Sequence, residues 1–287
     1  MKFLWKKNNA KTSSNGTANS ATAVSYGCKV YTVSETGPTR SSNEDSILYF
    51  YPERHSRTFF GIVADGMGGH EAGEVASKIA CETAYQYIQV HSAESNITLM
   101  LENCIQAAQA AILDAAEQNS MYNGMGTTAT TIYVHEGNMF FAHIGDSRLY
   151  HFRNNKLNQI TSDHTLVNEM VREGKITEAE AANHDMKHVL TQALGSVRII
   201  HPDVASDGFA IQPGDIFFLC SDGIYDVLQP SGIESLLKMT SSELSIECVK
   251  ALCMQRNASD NFSAILIEIT TEQQLTVPVT KELNVMI

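Results

Sequence analysis

The stretch FFGIVADGMGGHEAG occupies residues 59–73. An apolar run from Phe59 to Ala64 leads into Asp65, and Gly66, Gly68, Gly69 and Gly73 follow. A short apolar run closed by turn residues is the pattern of a buried strand. Glycines free the backbone and let another group come close. The candidates for that group are a phosphate, a metal ion or nothing at all.

The junction has an echo. In DIFFLCSDGIYD (215–226) a second apolar strand ends in a small residue followed by Asp222 and Gly223. Asp260 stands just before the strand-like run FSAILIEI (262–269), and Asn43-Glu44-Asp45 stand directly before SILYFY (46–51). Asp146 sits in the tight turn GDS (145–147). Each Asp-Gly taken alone is an ordinary turn dipeptide. Carboxylates at strand ends, however, are poorly placed to pack a core. If they converge, their mutual repulsion calls for cations. A ligand set of oxygens without a Cys or His cluster selects hard ions such as Mg2+ or Mn2+.

Working outward, further strands are predicted at TFFGIVA (58–64), TATTIYV (128–134), MFFAHI (139–144), RLYHF (148–152) and DIFFLC (215–220). They are rich in β-branched and aromatic residues and bounded by turn signals. HEGN (135–138) reads as a hairpin. With GDS equally short, 128–152 is predicted to be an antiparallel meander. Apolar residues recur at helical spacing in 71–90, 97–117 and 242–255, the last capped by Ser241 or Ser242. Strands in runs and helices in pairs predict an α+β layered domain with mostly antiparallel sheets. The charged segment 160–195, with His164, His184 and His188, breaks the strand pattern and reads as an irregular functional insertion.

The chain has 287 residues, 43 % of them apolar, with 20 basic and 32 acidic side chains and a net charge of −12. That composition suits a globular core and excludes the basic face a nucleic-acid binder needs. Six cysteines without a C-x-x-C pair predict buried, reduced thiols in a cytosolic protein. No apolar run reaches the ~18 residues of a membrane span. The start, MKFLWKKNN, lacks the apolar core of about 7–15 residues that a secretory signal needs. Residues 1–25 read as a disordered leader, 26–270 as one domain and 271–287 as a tail.

Eight ordered motifs carry a resemblance: GPTRSSNEDS (37–46), VADGMGGHEAGEVAS (63–77), GMGTTAT (124–130), IGDSRLY (144–150), SDHTLV (162–167), LTQALG (190–195), LCSDGIYDVL (219–228) and ASDNFSAI (258–265). Together they resemble the metal-dependent PP2C-type serine/threonine phosphatases, in the bacterial branch, over about residues 35–270. The resemblance implies a four-layer α-β-β-α sandwich of two antiparallel β-sheets flanked by helix pairs, with a two-metal centre at one end. It implies Mn2+ or Mg2+ as cofactor, two ions with a weaker third, and a shared hydroxide as the attacking group on a phosphoserine or phosphothreonine monoester. By the same resemblance Asp65 bridges the metals, Gly66 offers its carbonyl, Asp222 and Asp260 complete the first ion, and Glu44 and Asp45 hold the second. Asp146 with Asp222 matches the third site. Arg40 matches the phosphate-binding arginine, whose planar charged fork suits a phosphate dianion. His70 matches a general acid for the leaving alkoxide, or a group that organises metal waters. Thr127, Thr128, Ser147, Asp226 and Asn261 stand behind the ligands, His164 anchors the loop after its strand, and 165–190 is the flap beside the site.

There are departures. Gln192 stands where an arginine is usual, His143 and His188 where asparagines are common, and these predict altered flap or substrate contacts with metal binding intact. The expected partners are phosphorylated Ser/Thr proteins, including a Ser/Thr kinase and its targets, for a cytoplasmic monomer. A pseudophosphatase of the same fold, binding phosphoproteins without hydrolysis, is the alternative; it would lose the strand-end aspartates, and all are present. A two-metal phosphodiesterase is a further rival, which would usually bring histidine ligands.

Overall fold

Two central strands show why the apolar runs are continuous. In β3 (Phe59–Met67), Phe60, Ile62 and Ala64 pack in one cluster while Phe59 and Val63 pack in another. In β12 (Phe262–Thr271), Phe262, Ala264 and Leu266 face one way, and Ile265, Ile267 and Ile269 face the other. Successive side chains in a strand point to opposite faces. A strand buried on both faces therefore belongs to a sheet covered on both sides.

The computed structural model describes residues 26–52, 58–68, 72–271 and 284–286. The remaining strands are β1 (Tyr26–Glu35), β2 (Asp45–Phe50), β4 (Gly126–Thr127), β5 (Ala129–His135), β6 (Asn138–Ile144), β7 (Arg148–Arg153), β8 (Lys156–Gln159), β9 (Asp203–Val204), β10 (Phe209–Ala210), β11 (Ile216–Cys220) and β13 (Asn284–Met286). One sheet has the order β1-β12-β11-β7-β8, the other β10-β6-β5-β3-β2-β13, with β4 on β3 and β9 on β6. The recorded pairings are all antiparallel, from β1 on β12 to β13 on β2.

Helices cover both outer faces. α1 (Ala72–His91) and α2 (Ile97–Gln118) share a core with β2, β3, β5 and β6. α5 (Asp222–Leu237) and α6 (Ser242–Gln255) share one with β7, β11 and β12. A third cluster, including Ile47, Phe59, Ile132, Phe217, Leu219 and Ile265, lies between the sheets. Three cores separating four layers make the expected α-β-β-α sandwich. Helix entry is set locally: Asn96 accepts a hydrogen bond from Leu99 N–H, and Ser241 accepts one from Leu244 N–H.

Three expectations need correction. The predicted meander over 128–152 is half right: β5 and β6 form the hairpin, with Glu136 and Gly137 at positive φ, but β7 pairs with β11 in the other sheet. The GDS turn carries the chain across the sandwich, through Gly145 at φ +105°. A short connection sets adjacency, not pairing, when two sheets are stacked. The helix α5 was absent from the sequence reading because Gly223, Pro230 and Gly232 lie within it, and the chain kinks at Gln229 (φ 56°) just before Pro230. The insertion 160–195 is not wholly irregular: it holds α3 (Leu166–Arg172) and α4 (Glu178–Ala182), capped by Thr165 and by a Thr177–Glu180 capping box. The leader at 1–25 and most of the predicted tail lie outside the described residues, but residues 284–286 pair with β2. The cysteines are free and, except for the partly exposed Cys248, buried. Among the described residues no helix is long and apolar enough to cross a membrane.

One charged cluster lies inside this scaffold. Asp215 is wholly buried at the start of β11, with Arg153 Nε 2.6 Å and His151 Nε2 3.2 Å from Oδ1, and Gln212 N–H donating to Oδ2 at 2.9 Å. Burial alone would raise its pKa, but Arg153 and the other donors outweigh that and hold it at about 2. An unfolded aspartate titrates near ~3.9. The folded value is the lower, so the stabilisation is present above about pH 4 and is lost as pH falls through about 2. We expect Asp215→Asn to cost about 2 kcal/mol at neutral pH in urea unfolding, with the gap to wild type narrowing toward about pH 2. A gap that stays constant across that window would show that the carboxylate charge contributes nothing.

Candidate metal centre

The strand-end carboxylates come together because the strands that carry them end on the same side of the sandwich. Asp45 opens β2 and is in register with Asp65 on β3. Asp222 follows β11 as the first residue of α5, Asp260 precedes β12, and Asp146 sits at the crossover from β6 to β7. Asp65 feels the repulsion of Asp45, Asp222, Asp146 and Asp260. Glu44 feels that of Asp260 and Glu74.

The glycines have a reason within the chain itself. A Cβ on Gly66 would stand 2.2 Å from Gly73 O and 2.4 Å from Glu44 O. A Cβ on Gly73 would stand 2.0 Å from Glu44 Oε2, and one on Gly223 2.0 Å from Asn261 O. What approaches these glycines is the chain itself. Each Asp-Gly junction lets a neighbouring acidic segment pack against it, so the glycine brings carboxylates together whatever its carbonyl does. Gly66 N–H donates to Glu44 O at 3.1 Å, and Ser77 Oγ donates to the same carbonyl at 2.6 Å.

Hydrogen bonds fix the carboxylates in place. Ser221 Oγ donates to Asp45 Oδ2 at 2.8 Å and accepts from Ser263 N–H at 3.0 Å, joining the two sheets at the site. Asp65 N–H donates to Thr128 Oγ1, which is 2.7 Å from Ser147 Oγ, and Thr127 Oγ1 donates to Asp65 O. Asn261 accepts from Glu44 N–H and donates to Thr36 O and Ser42 O, tying the loop of Arg40 and Glu44 to the loop of Asp260. His164 holds the crossover from both sides, accepting from Gly145 N–H at Nδ1 and donating its own N–H to Gly145 O. Arg148, beside Asp146, grips Asp163 at 2.7 Å and lies 3.6 Å over the Tyr225 ring.

The electrostatics are those of an anion cluster in which burial and mutual repulsion outweigh the cations at its edge, Arg40, Arg148 and His188. Burial, then repulsion from the neighbours, pushes Asp65 well above the usual carboxylate range. Burial likewise raises Asp45 to about 7, although hydrogen bonds from Ser263 and Ser221 oppose it, and Asp146 to about 8. Glu44 and Asp260 are shifted upward too, by burial first. Asp45 Oδ1 and Asp222 Oδ1 are buried without any hydrogen-bond partner. Such atoms cost free energy unless something cationic meets them. An all-oxygen donor set with orphaned carboxylate atoms fits Mg2+ or Mn2+.

At the rim, the half-exposed Arg40 reaches Asp260 Oδ2 at 2.6 Å. The segment 165–190 reaches the same acids through two residues. Lys187 Nζ is 2.9 Å from Asp226 Oδ2, and His188 stands between Asp226 and Asp222, 3.3 and 3.5 Å from their Oδ2 atoms. His188, expected to contact only flap or substrate, thus touches an acidic residue of the centre; its one sequence signal was the departure from asparagine. Ser221 stands in the sequence only as the small residue before Asp222 and Gly223, and no pattern along the chain signals its bond to Asp45, distant by 176 positions. His143 is buried, hydrogen-bonded to Thr130, and pushed down to about 3 by burial and by His164, so it packs neutral behind the crossover. His70 lies outside the described residues.

Comparison with known proteins agrees with this geometry. A family profile for protein phosphatase 2C matches residues 39–255. The serine/threonine phosphatase stp of Listeria innocua is 34% identical over 240 residues, which cover 81% of this chain and 92% of that protein. The structure of the serine/threonine phosphatase Stp1 from Staphylococcus aureus superposes with a TM-score of 0.77 at 30% identity, covering 84% of this chain and 94% of the other. The catalytic domain of PstP in complex with two manganese ions gives 0.73 at 31% identity, covering 85% and 99%. The motifs, the sandwich and the acidic end lead to one conclusion: the chain belongs to the protein phosphatase 2C family.

Proposed function

We propose that this chain is a metal-dependent serine/threonine protein phosphatase whose reaction takes place at the acidic end of the sandwich. The observation that carries the proposal is the convergence of Asp45, Asp65, Asp146, Asp222 and Asp260 beneath an exposed arginine. Asp65, the Gly66 carbonyl, Asp222, Asp260, Glu44 and Asp45 would hold two Mn2+ or Mg2+ ions, and Asp146 with Asp222 would hold a third. Bound there, the ions would supply activation of water and neutralisation of phosphoryl charge.

The chain's own contribution is positioning. The Ser221 and Asn261 contacts hold Asp45, Glu44 and the Arg40 loop to the second sheet, so that ligands from both sheets keep one geometry. Arg40, half-exposed and held by Ser259 O and Asp260 Oδ2, presents its fork to the phosphoryl oxygens of the substrate. His70 donates the proton to the leaving serine or threonine oxygen, and its substitution tests that role. Thr128 and Ser147 hold the main chain of Asp65. Asp226 receives the flap through Lys187.

Substrates are phosphoproteins, and we propose that a Ser/Thr kinase and its targets are among them. Residues 26–270 form the catalytic unit, which we propose works as a monomer in the cytoplasm. A phosphoprotein-binding module without turnover is the competing case, and the full set of carboxylates argues against it.

Two outcomes are expected. Phosphate release from a phosphothreonine peptide depends on Mn2+, stops with EDTA, and falls at least about a hundredfold in Asp222→Asn, since ligand loss costs more than loss of a supporting residue. Turnover surviving both chelation and that substitution would sink the two-metal proposal; full Mn2+ binding without turnover would establish the binding module. Arg40→Ala is expected to lower kcat/KM about 10- to 100-fold, as a lost charge-assisted contact to phosphate does, with no rescue by Arg40→Lys. Unchanged kcat/KM in Arg40→Ala would remove Arg40 from phosphate binding.

A further inference from the structure

The flap ends on the metal centre in a way that the oxygen-only donor set does not explain. His188 follows α4 on the segment that returns to the sheets. Its Nδ1 lies 3.5 Å from Asp222 Oδ2, and single ligand atoms of Asp146, His188 and Asp222 all lie within 4.8 Å of one another. The neighbouring Lys187 is paired with Asp226 at 2.9 Å, which anchors the segment at that spot. Asp146 is only 6% exposed, and the Asp222 Oδ1 atom is buried with no hydrogen-bond partner. Two carboxylates that repel each other, one with a buried oxygen lacking a hydrogen-bond partner, and an imidazole thus lie at ligand spacing.

We propose that His188 is a flap-borne nitrogen ligand to the ion held by Asp146 and Asp222. The inference rests on the proposed role of those two aspartates and adds two consequences. First, an imidazole beside two carboxylates moves the site from hard toward borderline, so it prefers Mn2+ over Mg2+ more strongly than an all-oxygen site would. Second, the ion ties the flap to the strand ends. Occupancy of this one site then orders the segment 183–190, which shapes access for the substrate. The weaker alternative is that His188 only pairs with Asp226, 3.3 Å away, and never meets a metal.

The test uses the full-length chain titrated with Mn2+, as wild type and as His188→Asn and His188→Ala. Calorimetry gives the number and affinity of sites, pulsed EPR reads nitrogen coupling to bound Mn2+, and hydrogen exchange reads the flap. At saturating Mn2+ the wild type is expected to show coupling to an imidazole nitrogen and added protection over 183–190. Both should vanish in His188→Asn, while the two tighter sites remain. Loss of even a supporting residue typically weakens metal binding 10–100-fold, so the weakest Mn2+ site should weaken at least about tenfold in either variant, with a smaller change for Mg2+. Nitrogen coupling that is absent from wild type, or that persists in His188→Asn, overturns the proposal and leaves the two-metal centre standing. A wild type that binds no Mn2+ overturns both. Because the coupling is read first on the unmodified chain, a variant that fails to fold leaves a decisive measurement in hand.

Discussion

Repulsion among buried carboxylates governs how this fold is braced. At least four aspartates crowd one end of the sandwich, and two of their oxygens are buried with nothing to meet them. A globular fold does not concentrate like charge in that way without stiff support, because the chain gains by splaying apart. The support here is the sandwich itself. β2, β3, β11 and β12 are buried on both faces, so moving any strand end outward would strip apolar contacts from two cores at once.

The same constraint explains the local chemistry around each acid. Glycine stands after Asp65 and Asp222 because backbone from another segment passes within contact of it. Serine, threonine and asparagine stand next to the acids because short polar side chains can bridge sheet to sheet without competing for a cation. Ser221 joins β12 to Asp45 in the opposite sheet, and Asn261 gathers three main-chain groups of the Arg40 loop. The buried charge elsewhere is treated differently: Asp215 is met by a guanidinium and stays ionised, whereas at the site Arg40 reaches Asp260 at the rim and leaves Asp45 Oδ1 and Asp222 Oδ1 buried without a hydrogen-bond partner.

Much of this was legible along the chain. The strand runs at 58–64, 215–220 and 262–269 and the helices at 71–90, 97–117 and 242–255 appear with nearly the predicted bounds, since strong periodicity reports burial directly. Helix α5 was hidden by Gly223, Pro230 and Gly232, and strand β1 by its half-buried pattern of mixed polarity. The crossover at Gly145–Ser147 was read as a hairpin because turn length carries no information about which sheet receives the next strand.

For the site, the sequence by itself determined which carboxylates stand at strand ends and that glycine follows two of them. Spacing along the chain could not place Asp45 opposite Asp65, bring Asp222 and Asp260 beside them, or set Ser221 between the sheets. Nor could it show His188, distant in sequence from Asp146 and Asp222, reaching the same few ångströms. Hydrophobic periodicity is a property of each segment alone, whereas the meeting of strand ends depends on how two twisted sheets stack and where the chain crosses between them. Local pattern therefore determined which acids stand at strand ends, and tertiary packing decided which of them meet.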